Sequence, residues 1–181
     1  MRAIRLLGVL SCFTLLCFFA TSALAQKDSE KISELLSQAR TQAWQAALDA
    51  ETLQSFTMSN MAWESHAAQL RLIQDRVNAL AGTTLQLNDL RLQGSQWQQT
   101  AIDRINPLLR DMDAALSNTI TALRDHPERV NLPTYRDYAH ANYDVCEEAA
   151  TVISHFVAYG KSKASSESLR EKLELPLTAK Q

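Results

Sequence analysis

Helix-breaking residues are scarce after position 25, and this scarcity constrains the fold more than any other feature of the chain. The stretches between them are rich in Ala, Leu, Gln, Glu and Arg, which are good helix formers. The glycines and prolines in this part are Gly82, Gly94, Gly160, Pro107, Pro127, Pro133 and Pro176. The sequence therefore predicts an all-α protein made of a few long helices.

The first predicted helix covers residues 29–81, with Asp28 or Ser29 as its N-cap and Gly82 just after its last residue. Apolar side chains recur along it at helical steps of three, four or seven residues. They are Ile32, Leu36, Ala39, Ala43, Ala46, Ala50 and Leu53 in one phase, then Phe56, Trp63, Leu70 and Val77 in another.

The phase of this apolar pattern slips by three residues near positions 55–60. Such a slip either overwinds a coiled coil locally or marks a bend. Because no glycine or proline lies in the segment, the sequence favours one continuous helix that is bent or overwound near Thr57. In that arrangement Asn60 and His66 form a polar layer inside the apolar seam. A reversal of the chain at 55–60 is the alternative.

The second predicted helix covers residues 83–125 and opens with Thr83 and Gln86, which have the spacing of a capping box. Asn106 and Pro107 mark either a kink within this helix or the start of another. The sequence favours the kink, because the apolar phase continues past Pro107 without interruption.

The third predicted helix opens at Thr134, where Asp137 completes another capping box, and Gly160 ends or loosens it. Its inner face is predicted to carry seven residues at helical spacing. They are Tyr135, Tyr138, Asn142, Val145, Ala149, Val152 and Phe156.

Short connections between long helices make neighbouring helices antiparallel, so the sequence predicts an elongated antiparallel three-helix bundle. The alternative is a four-helix bundle with a break near 55–60. The bundle domain is predicted over residues 26–164. A short amphipathic helix with Leu169 and Leu173 on one side, followed by a C-terminal tail, is predicted over 165–181.

Residues 1–25 have the three parts of a secretory signal peptide. Arg2 and Arg5 give a basic start, residues 6–20 form an apolar run, and the segment ends with small residues up to Ala25. The run is shorter than the roughly 20 residues that a bilayer-spanning helix needs. We therefore expect cleavage before Gln26, a periplasmic or extracellular location, and no transmembrane segment in the mature protein.

The charge balance argues against nucleic acid as a partner. Loss of Arg2 and Arg5 lowers the basic count from 18 to 16 against 20 acidic residues, which leaves a net charge of −4. Nucleic-acid binding needs clustered cations. Cleavage also leaves Cys146 as the one cysteine, so no intramolecular disulfide is expected and the thiol is predicted to be buried and inert.

Two sets of residues are candidates for metal or cofactor chemistry. Asp137, His140 and Asp144 have helical spacings of three and four and could converge on one ion, although a solvated polar face is the favoured interpretation. A haem or metal site is the other hypothesis, and it rests on methionines and histidines that the sequence cannot place on facing helices. They are Met58, Met61, His66, Met112, His140 and His155. We expect no bound metal or cofactor.

The sequence contains no Ser/His/Asp motif on a strand-to-helix elbow, no phosphate-binding glycine loop and no strand pattern to carry one, and an enzyme is not expected. The leading hypothesis is a non-catalytic, exported bundle that binds a protein or a component of the cell envelope, or associates with itself, through its helices. Trp44 falls one position off the apolar seam and would be a rigid anchor for a partner if it is exposed. A metal- or haem-binding bundle is the alternative function.

Three segments carry a resemblance to known proteins: residues 55–67 (SFTMSNMAWESHA), 97–109 (WQQTAIDRINPLL) and 133–138 (PTYRDY). Together they are similar to segments of uncharacterised exported bacterial helical-bundle proteins, and the likeness covers most of the mature chain. The resemblance implies export and a helical bundle. It carries no known activity and assigns no functional residue.

Overall fold

Four antiparallel helices form the described part of the chain, residues 27–174, in the computed structural model. The helices are α1 (Glu30–Phe56), α2 (Trp63–Leu90), α3 (Gln96–Asp125) and α4 (Pro133–Lys172), with 3-10 turns at Arg91–Gln93 and Pro127–Arg129. α1 packs against α2 and α4, and α3 packs against the same two helices, so the four close into a ring. Among these residues no helix combines the length and apolar character needed to cross a membrane. The predicted signal segment, 1–25, lies outside the described residues.

The prediction of a three-helix bundle is wrong, because the chain reverses direction between α1 and α2. Hydroxyl groups end α1 by bonding back to its carbonyls: Thr57 Oγ1 donates to Gln54 O at 2.7 Å, and Ser59 Oγ donates to Ser55 O at 2.9 Å. Asn60 then adopts a φ of 52°. Asn enters this left-handed region more readily than most residues, so the turn needs neither glycine nor proline.

Side-chain contacts between α1 and α2 show that the chain reverses direction between them. Arg76 Nε lies 3.2 Å from Asp49 Oδ2, and Gln69 Nε2 donates to Asp49 O at 2.8 Å. Asp49 and Arg76 are 27 positions apart, which would separate them by about 40 Å in a straight helix. The predicted polar layer is also wrong, since Asn60 is exposed in the turn whereas His66 is buried in the core.

The next reversal comes later than the sequence indicated. α2 continues through Gly82, and the Thr83 hydroxyl donates to the carbonyl four residues earlier instead of capping a new helix. The chain turns after Leu90, and α3 begins with a capping box in which Gln98 Oε1 accepts from the backbone N–H of Ser95 at 3.1 Å. Gly82 lies inside α2 without a positive φ, so it makes no turn.

The last two helices continue through residues that often break helices, Pro107 in α3 and Gly160 in α4. α3 runs through Pro107, which confirms the prediction of one helix at this point. α4 begins at Pro133 rather than at a Thr134 capping box, because proline's fixed φ suits the first helical turn. It continues past Gly160 to Lys172.

Small side chains let α1 and α4 approach closely. α1 buries Ala39, Ala43, Ala46, Ala47 and Ala50 along its inner face. The inner face of α4 is rotated from the predicted one and consists of Tyr135, Ala139, Asn142, Cys146, Ala149, Ala150, Ile153 and Val157. Tyr138, which the sequence placed inside, is 39% exposed.

The end of the bundle opposite the α1–α2 and α3–α4 turns is tied together by Asp28, just before α1. Its Oδ1 accepts hydrogen bonds from Trp97 Nε1 of α3 and Lys163 Nζ of α4, both at 2.8 Å. Burial by itself would raise the pKa of the Asp28 carboxyl, but the hydrogen bonds from Lys163, Ser95 and Trp97 and the Lys163 charge hold that pKa below its usual range. Asp28 thus joins α1 to two other helices.

Candidate functional site

Two side-chain contacts join α1 to α4 on the solvent side of the interface between these two helices. Trp44 Nε1 donates to Ser154 Oγ at 2.8 Å, and ten residues further along α1 Gln54 Nε2 lies 2.9 Å from His140 Nδ1. The first contact also fixes the indole ring. Trp44 nevertheless remains 43% exposed, so it presents a held aromatic face to solvent.

Residues between these contacts lie on the same edges by helical spacing, at steps of three, four or seven. On α1 they are Leu48, which is 57% exposed, and Glu51, which is also exposed. On α4 the edge carries Asp144 and Glu147, both exposed. We call the surface formed by Trp44, Leu48, Glu51, Asp144 and Glu147 the acidic groove.

The acidic groove has little internal charge compensation. Asp144 Oδ2 lies 3.6 Å from His140 Nε2, a pair that is charged only when the imidazole is protonated. Within residues 27–174, no ion pair joins Glu51 or Glu147 to a basic side chain. The groove therefore combines an apolar anchor with uncompensated negative charge.

The candidate metal residues on α4 lie on its outer face, as predicted, with His140 and His155 exposed. His140 is within reach of Asp144, but its other ring nitrogen faces Gln54. In the part of the chain that the structure describes, no three His, Cys, Asp or Glu side chains gather closely enough to hold a metal ion. The structure therefore does not bring Asp137 into one site with His140 and Asp144.

The residues of the haem hypothesis are spread along the bundle. His66 lies one turn into α2, next to the α1–α2 turn, whereas Met112 lies in the core 13 residues before the last residue of α3. By the helical rise, these two levels differ by about 15 Å along the bundle axis, too far for both side chains to bind one iron. Met58 and Met61 lie in the α1–α2 turn and are 71% and 36% exposed.

His66 is enclosed by aromatic rings at this end of the core. Phe56 and Tyr135 meet its imidazole edge to face, with ring centroids 5.7 Å and 5.3 Å away. Neither ring nitrogen of His66 has a hydrogen-bond partner among residues 27–174, nor does the hydroxyl of Tyr135. Burial lowers the pKa of His66 and raises that of Tyr135, so both groups are neutral at physiological pH.

A cleft of about 340 Å³ lies between the end of α3 and the start of α4. Tyr135 and Tyr138 contribute its apolar wall, and Asp125, His126 and Arg129 contribute polar groups at its rim. Except for Tyr135, these five side chains are exposed. The cleft is thus a shallow surface feature rather than an enclosed pocket.

Cys146 is fully buried, which confirms its predicted placement. Burial raises the pKa of the thiol to about 12, because desolvation disfavours the charged thiolate. The sulfur lies 3.7 Å from Asn142 Oδ1. Nucleophilic use of this thiol is therefore strongly disfavoured at neutral pH.

Sequence reasoning singled out Trp44 as an anchor and Asp144 as a candidate metal ligand, but it did not place them on one surface with Leu48, Glu51 and Glu147. The spacing of Trp44, Leu48 and Glu51 was visible in the sequence, whereas their juxtaposition with Asp144 and Glu147 requires knowing that α1 pairs with α4. No protein-family model, curated protein or solved structure matches this chain. Its function must therefore be inferred from the geometry of its own residues.

Proposed function

We propose that this protein is a non-catalytic binding protein that holds a basic, partly apolar segment of a partner protein along the acidic groove. The proposal rests on one observation: the Trp44 side chain is exposed, and its hydrogen bond to Ser154 nevertheless holds the indole ring in place. A rigid aromatic anchor loses little conformational entropy on binding, and for this reason tryptophan is enriched among the residues that dominate interface energetics.

The chemistry of the partner follows from the neighbours of Trp44. Leu48 extends the apolar surface by one helical turn, and both side chains would be covered by an apolar face. Glu51, Asp144 and Glu147 lie beside them and favour Lys or Arg opposite. Opposite charges across an interface speed encounter and select partners, and salt screens this effect.

The same charges disfavour self-association through this surface. In a twofold-symmetric dimer an interface patch meets its own copy. Three carboxylates of one acidic groove would then face three of the other, with no basic groove residue to compensate them. A different, basic protein is therefore the better occupant.

The partner is proposed to lie outside the cytoplasm. The support is the composition of residues 1–25, with a basic start, an apolar run and a small-residue ending. Intact mass of the protein recovered from the cell envelope should correspond to a chain that starts at Gln26. A recovered chain that still contains Arg2 and Arg5 would contradict export with cleavage.

The binding proposal is tested by affinity capture from envelope extract with matched tryptophan variants. Trp44→Ala should weaken capture of the partner by roughly 30-fold, the equivalent of about 2 kcal/mol for an anchor residue. Trp63→Ala is the control, because Trp63 is equally exposed at 47% but lies outside the acidic groove. Glu51→Gln with Glu147→Gln should weaken capture and flatten its dependence on salt.

Two outcomes would overturn the proposal. One is capture that Trp44→Ala and Trp63→Ala reduce equally, which would mean general adhesion to exposed indoles. The other is no salt-dependent partner at all, together with turnover of a metabolite by the purified protein.

A further inference from the structure

His66 of α2 is a buried histidine that has no polar partner in the core. Its side chain is fully shielded from solvent, and neither ring nitrogen has a hydrogen-bond partner among the described residues. Phe56 of α1 and Tyr135 of α4 enclose the ring edge to face. Burying a polar group without a partner costs free energy, and burying a charged group costs far more. The core therefore accepts the imidazole only in its neutral form.

The charges around His66 do not stabilise an imidazolium. Of the two rings that enclose it, only that of Tyr135 is titratable, and burial raises the pKa of its phenol, which stays neutral. Arg136 follows on α4, with Nη2 3.4 Å from Thr57 O, and its charge would repel an imidazolium. Burial alone lowers the pKa of His66, without an opposing carboxylate among the described residues. The other charged or titratable groups at this end of the bundle are exposed: Glu51 on α1, Glu64 and Arg71 on α2, Arg124 and Asp125 on α3, His126, Glu128 and Arg129 after it, and Asp137 and His140 on α4.

The first turn of α2, which carries His66, is weakly held. The helix begins at Trp63, and its N-cap residue, Ala62, makes no side-chain hydrogen bond to the backbone N–H groups of this turn. A helix without such a cap unwinds more readily from its first residue. The N-terminus of a helix also carries a partial positive charge, which disfavours a cation nearby. A charge on His66 therefore favours the unwinding of this turn.

We propose that His66 is an acid-sensitive switch: when the imidazole is protonated, residues 63–66 unwind and carry it out of the core into water. The remainder of the bundle stays closed, because Asp28 ties the opposite end through Trp97 and Lys163. The switch is separate from the acidic groove and does not depend on the partner proposed there.

The direction of the pH response follows from the protonation of the two forms. In the unwound turn His66 binds its proton with the ordinary histidine pKa of about 6.5, whereas burial lowers this pKa in the core. Above about pH 6.5 both forms are neutral, and the closed form keeps its full stability. Below that value unwinding takes up a proton. Each further pH unit then raises the unwound population by up to about tenfold, until the pH reaches the lowered folded value.

Amide hydrogen exchange of the folded protein, resolved by residue with NMR, tests the switch. The amides of residues 67–70 report it, because in the helix they bond to the carbonyls of residues 63–66. After correction for the intrinsic pH dependence of exchange, these amides should open several-fold more often at pH 5.5 than at pH 7.5, and at most about tenfold more often. Amides in the middle of α2, such as those of Val77 and Leu80, should show no such increase.

Variants of His66 show whether this residue is the cause. His66→Phe keeps a ring between Phe56 and Tyr135 that cannot be protonated, and His66→Leu is a smaller alternative. Either variant, shown to be folded by circular dichroism, should lose the difference between pH 5.5 and pH 7.5 at residues 67–70. His140→Gln is the matched control, because it removes an exposed histidine of α4 and should leave the response intact.

The proposal fails if opening at residues 67–70 of the wild type changes less than about twofold between the two pH values. A response that persists in a folded His66 variant also contradicts it. Equal acceleration throughout all four helices would mean global acid unfolding instead of a local switch. Should neither variant fold, the wild-type exchange pattern decides by itself, because only a local switch confines the response to the start of α2.

Discussion

Gly160 of α4 lies directly against the indole of Trp97 on α3: a Cβ built on Gly160 would come within 2.6 Å of Trp97 Cη2. Trp97 has little freedom to withdraw. Its Nε1 is bonded to Asp28, and its ring meets Tyr159 edge to face with centroids 5.5 Å apart. Gly160, which the sequence analysis expected to end or loosen the helix, is therefore a contact point between two helices.

Gly160→Ala should destabilise the bundle despite the higher helix propensity of alanine. Overpacking a well-filled contact costs about 1 to 3 kcal/mol, and the propensity gain of about 1 kcal/mol offsets only part of it. We expect a net loss of up to about 2 kcal/mol in the free energy of unfolding. Urea denaturation followed by tryptophan fluorescence measures it, and a variant more stable than the wild type would disprove the contact.

Gly82→Ala is the matched substitution with the opposite expected sign. Gly82 also lies inside a helix, but nothing occupies the space within 4 Å of its Cβ position. Only the backbone entropy of glycine changes there, so the free energy of unfolding should rise by about 0.5 to 1 kcal/mol. The same urea titration decides it, and destabilisation would mean that α2 does not run through position 82.

The acid sensitivity of the bundle should depend in part on Asp28. The pKa of its carboxyl is lowered in the folded state, so its contribution is complete above the unfolded value near 3.9 and is lost as pH falls through the lower folded value. Asp28→Asn should reduce stability at pH 7 by roughly 1 to 3 kcal/mol and flatten its decline below about pH 4.

The control for this prediction is Asp103→Asn. Asp103 pairs with Arg91 at 2.6 Å, but its side chain is 53% exposed, and exposed pairs contribute little. Its loss should change stability less than the loss of Asp28 does. Equal effects of the two variants in urea titrations at pH 7 would show that Asp28 does not tie the helices together.

The left-handed backbone conformation of Asn60 leads to a prediction about which residues the α1–α2 turn tolerates at this position. With φ at 52°, Asn60→Gly should be tolerated or slightly stabilising, whereas Asn60→Val should lower stability by about 1 to 2 kcal/mol because a β-branched residue is strained there. Thermal unfolding of the two variants gives the comparison. Valine tolerated as well as glycine would rule out the left-handed turn.

Much of the helical content could be predicted from the sequence, but the location of the turns could not. Sparse glycines and prolines correctly indicated long helices, and the uninterrupted apolar phase correctly carried α3 through Pro107. Asn60 was assigned to a polar layer inside the seam rather than to a turn, because its role depends on backbone conformation rather than on residue class. Gly82 was wrongly predicted to follow the end of a helix, because from the sequence alone a glycine inside a helix cannot be told from one that ends it.

The inner face of α4 was also predicted only in part from the sequence. Predicted positions such as Tyr138 and Val145 lie one residue before the buried Ala139 and Cys146. A pattern of seven-residue steps drifts by about 20° per repeat on a straight helix, so the sequence alone does not fix which flank faces inward. The acidic groove could not be predicted from the sequence either, because it depends on which edges of two helices distant in sequence face each other.

The reversal between α1 and α2 is the central claim, because it brings α1 against α2 and so makes a four-helix ring. Spin labels at the exposed positions Gln38 and Asn78, in a Cys146→Ala background, measure it directly by electron–electron dipolar coupling. Antiparallel packing at 8 to 10 Å between helix axes predicts a separation below about 30 Å. One continuous helix would place the labels about 60 Å apart, and that result would contradict the fold.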